Sequence, residues 1–365
     1  MPPYVGIKRT KPRPRRSKEF NENYFGISNK MQVLIRSRMS VTHCNSHRKR
    51  KLTQMSTQTM KAIQVHNYGN ADQLKLEQIP QPEPQEGEVL VRVYAAGVNP
   101  ADWKLRSGRM KDFWPSTFPY VPGYDLAGVV AKVGTGVTAF QPGQAVFGRS
   151  SNGSYAEYSI APANALALKP KTLSFDEAAT IPVGATTAWQ GIFDHGNLQP
   201  GQRVLILGGA GGVGIFAVQF AHWKGAHVIS TASTSNVDFV RSLGAEKVID
   251  YTKTRVEDEI HDVDLVFDTV GSAAFASAWP TLKRGGTLVS IAGQPDEAKA
   301  REFGVRTASF SAQVTSELLS TFARLIDEGQ IKAVVGATFP LSEAGKAQEL
   351  SQGGHGRGRI VLHIA

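Results

Sequence analysis

Arg203-Val204-Leu205-Ile206-Leu207-Gly208-Gly209-Ala210-Gly211-Gly212-Val213-Gly214-Ile215-Phe216-Ala217-Val218-Gln219-Phe220-Ala221 is the stretch on which the reading of the whole chain turns. Val204 to Leu207 is a short apolar run of the kind that makes a fully buried strand. It passes straight into a glycine loop, and the loop into an amphipathic segment that reads as a helix. Gly209, Gly211 and Gly214 match the G-x-G-x-x-G spacing. The three glycines serve a tight turn, close approach of backbone to a pyrophosphate, and close helix–strand packing. The helix N-terminus adds free N–H groups and the positive end of a dipole. Alone the motif is weak evidence, and the same residues could form a glycine-rich turn with no ligand. The strand before it and the helix after it are the context that makes Gly209, Ala210, Gly211, Gly212, Val213 and Gly214 a candidate dinucleotide cradle.

Outward from this stretch, strands and helices alternate. Strands are expected at 204–207, 227–231, 247–249, 265–269, 287–291 and 308–311, with helices starting near Gly212, Asn236, Val256 and Ala273. Alternation of this kind gives a parallel sheet, and six strands in two halves is the Rossmann count. A helix at 317–327 and strands at 332–339 and 359–364 no longer alternate in the same way. Upstream, short strands and turns at 62–65, 73–78, 89–95, 125–134 and 145–148 argue for a compact β domain. Helical patterns follow at 176–179 and 185–193. The expected fold is α/β, a doubly wound parallel Rossmann sheet inserted in a β-rich catalytic domain. Residues 60–185 are its first part, 186–313 the dinucleotide-binding domain and 314–365 the returning part.

The chain of 365 residues is long enough for two ordinary domains, and no apolar run approaches the roughly 20 residues of a membrane helix. The net charge of +10 is unevenly placed. Residues 1–59 hold 14 Lys/Arg against 2 Asp/Glu, and residues 60–365 hold 27 against 29. The body therefore has no global reason to bind nucleic acid. The single cysteine, Cys44, is also in the basic stretch, which leaves the body without a disulfide, a thiolate zinc site or a cysteine nucleophile. Residues 1–59 read as a disordered basic tail. Three explanations stay open: sequence upstream of a natural start at Met60, an Arg-rich targeting peptide, or a basic arm for nucleic acid or membrane. It lacks the apolar h-region of a secretory signal, and a cytoplasmic location is expected.

Several further motifs stand in order along the body: Ala96-Gly97-Val98-Asn99-Pro100-Ala101-Asp102, Pro122-Gly123-Tyr124-Asp125-Leu126-Ala127-Gly128, Gly153-Ser154-Tyr155-Ala156-Glu157-Tyr158, Ser242-Leu243-Gly244-Ala245, Val248-Ile249-Asp250-Tyr251 and Gly354-His355-Gly356-Arg357-Gly358-Arg359. With the glycine loop, they make residues 60–365 resemble the medium-chain dehydrogenase/reductase superfamily, in its zinc-free quinone oxidoreductase branch. The resemblance implies a GroES-like domain split around the Rossmann domain, an active site in the cleft between them, and a homodimer. Zinc-dependent members have a cysteine near Val98-Asn99 and a Gly-His-Glu where Gly123-Tyr124-Asp125 stands here. Catalytic zinc takes three protein ligands, which Asp102 and Asp125 alone cannot supply, so no metal is expected.

The expected cofactor is NADPH. An NAD site places a carboxylate at the end of the second strand to hold the ribose 2′-OH. Here that strand ends Ser230-Thr231-Ala232-Ser233-Thr234-Ser235-Asn236, with no carboxylate before Asp238. Ser233 and Asn236 leave room for a 2′-phosphate and can donate to it, although both are also good helix caps. No Lys or Arg lies in this loop, so Arg357 or Arg241 would have to bring the positive charge. By resemblance Tyr251 lies near the same phosphate. At the nicotinamide end the resemblance points to Asn99, Asp102, Thr187 and the backbone at Gly293. Asn99 would face the cleft, or simply occupy a turn beside Pro100. Asp102 would act as an acid or as an orienter of Arg106. Tyr155 and Tyr158 read as core or rim, and no histidine belongs to a metal or triad constellation. Trp103, Phe113, Trp114 and Phe310 are the apolar residues that the resemblance would put around a small-molecule substrate. The expected reaction is zinc-independent hydride transfer from NADPH to a quinone or an α,β-unsaturated carbonyl. The alternatives are a zinc-type alcohol dehydrogenase and a non-catalytic NADPH-binding protein.

Overall fold

A computed structural model describes residues 58–354 and 356–365. The basic stretch through residue 57, with Cys44, and also His355 lie outside the described residues.

The body opens with β1 (Thr59–Val65), one residue ahead of Met60, paired antiparallel with β2 (Leu74–Pro80). β3 (Glu88–Val98), β4 (Asp125–Val133), β5 (Ala145–Arg149), β6 (Tyr158–Pro162) and β7 (Leu166–Leu168) follow. The parallel set is β8 (Arg203–Leu207), β9 (His227–Ala232), β10 (Lys247–Asp250), β11 (Val263–Asp268), β12 (Leu282–Ser290) and β13 (Arg306–Ser309). β14 (Val335–Pro340) and β15 (Arg359–His363) close the chain.

Strand order gives the architecture. β8 to β13 form a parallel sheet in the order β10-β9-β8-β11-β12-β13, two halves wound outward from the β8–β11 junction. β3, β4, β5, β6 and β7 form the second sheet with β14 and β15, in the order β14-β15-β3-β4-β5-β7, with β6 on β3. The second sheet is thus built from both ends of the body, and the Rossmann sheet is inserted between them. The GroES-like split follows directly from β15 pairing with β3 across that insertion.

The β8 side chains show why the central strand is apolar throughout. Val204 and Ile206 enter one core with Phe216, Phe220 and Phe267, while Leu205 and Leu207 enter another with Ile229, Val266 and Trp279. A strand covered on both faces has no polar side to show. The helix Ser316–Asp327 buries Leu319, Phe322, Leu325 and Ile326 in the first of these cores. Phe322 lies 5.4 Å from Phe220, while Ser316 Oγ donates to the Leu166 carbonyl on β7, so this helix bridges both sheets.

Some elements were not expected. β6 and β7 are short, and the helices Pro100–Arg106, Glu297–Phe303 and Ala344–Gly353 carry weak apolar periodicity. β12 starts at Leu282, ahead of the expected 287, and its Arg284-Gly285-Gly286 passes through a left-handed Gly285 at φ 78°. The helix Pro182–Trp189 begins with proline at its first turn, where the missing N–H costs nothing, and continues as a π-helix over Gln190–His195.

Candidate active site

The chain leaves β3 at Val98 and enters the helix Pro100–Arg106 through Asn99. Pro100 stands at the first helical position, and the Asp102 carboxylate accepts from the Asn99 backbone N–H at 2.8 Å, one half of a capping box. That bond fixes the Asn99 backbone. Its side chain turns to two other segments. Nδ2 donates to Asp125 Oδ2 at 3.0 Å, and Oδ1 accepts from Arg359 Nη2 at 2.8 Å. Asp125 begins β4 and Arg359 begins β15, so three chain segments meet here.

Asp125 is fully buried and its carboxylate is well supplied. Arg359 Nη2 donates to Oδ2 at 2.5 Å, and the Val183 N–H, in the first turn of the helix Pro182–Trp189, donates to Oδ1 at 2.9 Å. Burial pushes the Asp125 carboxyl upward, opposed by the Arg359 guanidinium, the Asn99 amide and the Val183 N–H. Thr187 is one turn further along the same helix, with its hydroxyl donating back to the Val183 carbonyl at 2.6 Å.

Asp102 is buried as deeply but supplied less well. Oδ2 accepts from Asn99 and from the Tyr155 hydroxyl, each at 2.8 Å, and Oδ1 finds no partner among the described residues. Burial lifts its carboxyl from 3.8 to about 7, against both hydrogen bonds, with nearby Asp125 lifting it further. Burial and the Asp102 charge also raise the Tyr155 hydroxyl well above the usual tyrosine range. Asp102 does not orient Arg106. That guanidinium donates instead to Gln348 Oε1 at 2.7 Å and the Gly69 carbonyl at 2.8 Å, on elements that the spacing near Asp102 could not reveal.

The glycine loop lies at the switch point of the sheet, where dinucleotides bind in open α/β folds. The left-handed turn residue is Gly208, at φ 83°, and not Gly209 as the motif spacing suggested. Gly209 is pressed against Ser230, and Gly214 against the Gly208 carbonyl, so a Cβ at either would collide. At Gly211 the nearest atom to an added Cβ is 3.4 Å away, which leaves room on that side. The N–H groups of Ala210, Gly212 and Val213 have no backbone acceptor among the described residues. Open space beside free amides, followed by the helix Gly214–Trp223, fits a pyrophosphate. Gly293 follows β12, its N–H donating to Ser290 Oγ at 3.2 Å, with nothing within 4 Å of an added Cβ.

The other end of the site gathers residues far apart in sequence. Asn236 Nδ2 donates to Ser233 Oγ at 3.1 Å. Arg357 Nε donates to Asn236 Oδ1 at 3.1 Å, and its Nη2 to the Ser235 carbonyl at 3.1 Å. Arg241 turns to Asp238 instead. Tyr251 is exposed at the end of β10. Asp250, just before it, accepts from Thr234 Oγ1 at 2.5 Å, and bonds from Thr234 and Thr252 hold its carboxyl below the usual range. A carboxylate therefore stands beside this loop after all, contributed by the neighbouring strand.

The four apolar candidates separate. Trp103 is buried, Phe310 stacks on the His195 ring at 4.3 Å, and Phe113 and Trp114 are 83% and 53% exposed. Arg359 is the site residue that sequence reasoning missed. Its place in the Gly356-Arg357-Gly358-Arg359 run was the available signal, but its partner Asp125 is 234 residues away. Among the described residues, no three His, Cys, Asp or Glu side chains stand close enough to hold a metal ion, and no helix is long and apolar enough to cross a membrane.

A dinucleotide cradle facing a split β-rich domain defines a class of nicotinamide-dependent oxidoreductase. Residues 85–171 match the alcohol dehydrogenase GroES-like domain, and residues 243–362 the zinc-binding dehydrogenase domain. The chain is 37% identical over 320 residues to a 2-methylene-furan-3-one reductase of Solanum lycopersicum, covering 83% of this chain and 79% of that protein. It is 38% identical, with the same coverage, to the chloroplastic NADPH-dependent alkenal/one oxidoreductase of Arabidopsis thaliana. The quinone oxidoreductase of Coxiella burnetii superposes with a TM-score of 0.78 at 34% identity, covering 84% of this chain and all of that one. The chain belongs to the quinone oxidoreductase branch of the medium-chain dehydrogenase/reductase superfamily.

Proposed function

We propose that the chain is a zinc-independent, NADPH-dependent reductase of quinones or α,β-unsaturated carbonyls. The observation that carries this reading is the Arg359–Asp125–Asn99 cluster beside the glycine loop. A guanidinium already occupies the carboxylate that zinc relatives would keep near their metal, and a fixed positive charge there disfavours a divalent cation. The nicotinamide, when bound, supplies the hydride. Gly209 to Gly214 hold the pyrophosphate, and Ser233, Asn236 and Arg357, with Tyr251 nearby, surround the adenosine end. Thr187 and the Gly293 backbone border the nicotinamide pocket. Asn99 orients polar groups of the acceptor from a backbone locked by Asp102. The Arg359–Asp125 ion pair, bridged by the Asn99 amide, gives the acceptor end a fixed arrangement of dipoles that needs no reorganisation during the reaction. A quinone or enone suits a site without a Lewis acid, because its charge spreads onto an oxygen that solvent can protonate. Asp102 is a further proton source, since a carboxyl lifted to about 7 is partly protonated at neutral pH.

The activities for which the relatives are named support the substrate class and the cofactor phosphate. One observation favours NADH instead: Asp250 beside Thr234 could hold a ribose 2′-OH. Against it, Thr234, Thr252 and Lys253 at 3.3 Å already engage that carboxylate. The test is turnover of a panel of quinones, enals and simple alcohols with each cofactor, before and after chelation. Reduction of quinones or enals with NADPH, unchanged by chelator, is expected. Zinc-dependent alcohol oxidation with NAD would overturn the proposal.

A further inference from the structure

Arg357, Gly358 and Arg359 are consecutive, yet each touches a different part of the nucleotide site. Arg357 bonds Asn236 and the Ser235 carbonyl at the adenosine end, with its guanidinium 4.5 Å from the centre of the Phe239 ring. The Gly358 N–H donates to the Ala210 carbonyl in the glycine loop at 2.9 Å. Arg359 runs across Gly212, where an added Cβ would lie 2.5 Å from its Cδ, and ends on Asn99 and Asp125.

The three contacts are unequal in strength. Arg359 is buried in an ion pair, and Gly358 is held by its loop bond and a left-handed φ of 68°. Arg357 is exposed and bonded to two neutral acceptors, with N–H groups left over from its five. It bonds the Ser233 to Asn236 loop directly, whereas Arg241 pairs with Asp238 and Lys253 with Asp250. A dianionic 2′-phosphate would offer it charge-assisted bonds stronger than those it now makes.

We infer that this tripeptide couples the 2′-phosphate pocket to Asn99, with Arg357 as a positioning residue that acts through Gly358 and Arg359. The inference rests on the NADPH reading and deepens it. A phosphate that fixes Arg357 also restrains the adjoining backbone of Gly358 and Arg359, already tied by N–H bonds to the Ala210 carbonyl at 2.9 Å and the Val334 carbonyl at 3.0 Å. Arg359 has no slack, because Gly212 lies beneath it and Asn99 and Asp125 lie at its tip. The 2′-phosphate therefore organises the hydride-transfer end of the cleft as well as adding affinity. Coupling between two sites in one protein is typically about 5- to 150-fold.

The test uses adenosine 2′,5′-bisphosphate, which carries the phosphate but no nicotinamide, and adenosine 5′-monophosphate as the probe that differs from it only in lacking the 2′-phosphate. Hydrogen exchange is followed in a peptide spanning residues 96–106. The bisphosphate is expected to slow exchange there at least threefold relative to the monophosphate, both at saturation. Arg357→Gln should abolish the difference. Arg357→Lys should regain phosphate binding but not the slowed exchange, because lysine lacks the fork that spans Asn236 and Ser235. In turnover, Arg357→Gln should lower kcat with NADPH as well as raise KM. If Arg357→Gln weakens bisphosphate binding but exchange at 96–106 still responds in full, the coupling is wrong and the NADPH reading stands. If the wild type binds the bisphosphate and adenosine 5′-monophosphate equally, the NADPH reading fails and the coupling with it.

Discussion

At one end of the nucleotide cradle Asn99, Asp125 and Arg359 are buried and bonded to one another, with Arg359 Nε left without a partner among the described residues. At the other, Arg357, Ser235 and Tyr251 meet solvent around neutral acceptors. Removing a group from the first end leaves a desolvated charge, so the penalty falls on folding. Changing a group at the second end leaves the fold intact, so the effect falls on which cofactor is held. A single site can therefore be rigid where hydride transfer needs geometry and adjustable where only an anion must be recognised.

The largest effect expected is at the buried end. Arg359→Met leaves the Asp125 carboxylate without its guanidinium and should cost about 3–5 kcal/mol. Urea denaturation measures it, and the double variant Asp125→Leu with Arg359→Met should recover much of the loss, because it removes both charges together. A single variant as stable as the wild type would mean that the pair is not desolvated, and the contrast between the ends would collapse.

Next comes Asp102. Between about pH 4 and 7 its carboxyl is protonated in the fold and ionised in the unfolded chain, so the folded state holds the extra proton. Stability should fall as pH rises through that window and level off above it. A carboxyl lifted from 3.8 to about 7 costs the fold roughly 4 kcal/mol once ionised, as an upper bound. Asp102→Asn keeps an acceptor for Asn99 and Tyr155 and should flatten the profile. Denaturation at pH 5 and pH 8 for both proteins checks this, and parallel profiles would show that Asp102 is not the titrating group.

The buried end was the harder one to read from sequence. The glycine loop and the Rossmann alternation were legible because strand, turn and helix signals lie within a few residues of each other. Asn99 and Asp102 stood out, but the helix after them was hidden behind an Asn-Pro turn reading, although Pro100 and Asp102 stand at the first and third helical positions. The Arg359–Asp125 pair was not legible, because chain spacing carries no information across 234 residues. Asp250 was passed over for the same reason. It lies one strand away from the loop it enters, and only sheet pairing brings Asp250 beside Ala232. Arg357 was proposed from charge balance, and the structure brings it to Asn236.

The smallest effect belongs to the exposed end, and it bears most directly on the account. Ser233→Asp would set a carboxylate against the 2′-phosphate and offer an acceptor to the 2′-OH of NADH. Like charges about 4 Å apart near a surface repel by ~4 kcal/mol at an effective dielectric of 20. Screening and side-chain motion should reduce this to ~1–3 kcal/mol, roughly 10- to 100-fold in affinity. The measurement is kcat/KM with NADPH and with NADH for the wild type and Ser233→Asp. The account predicts a wild type that prefers NADPH and a variant in which the preference narrows or reverses at unchanged stability. A wild type that prefers NADH, or a ratio that the substitution leaves untouched, would contradict it.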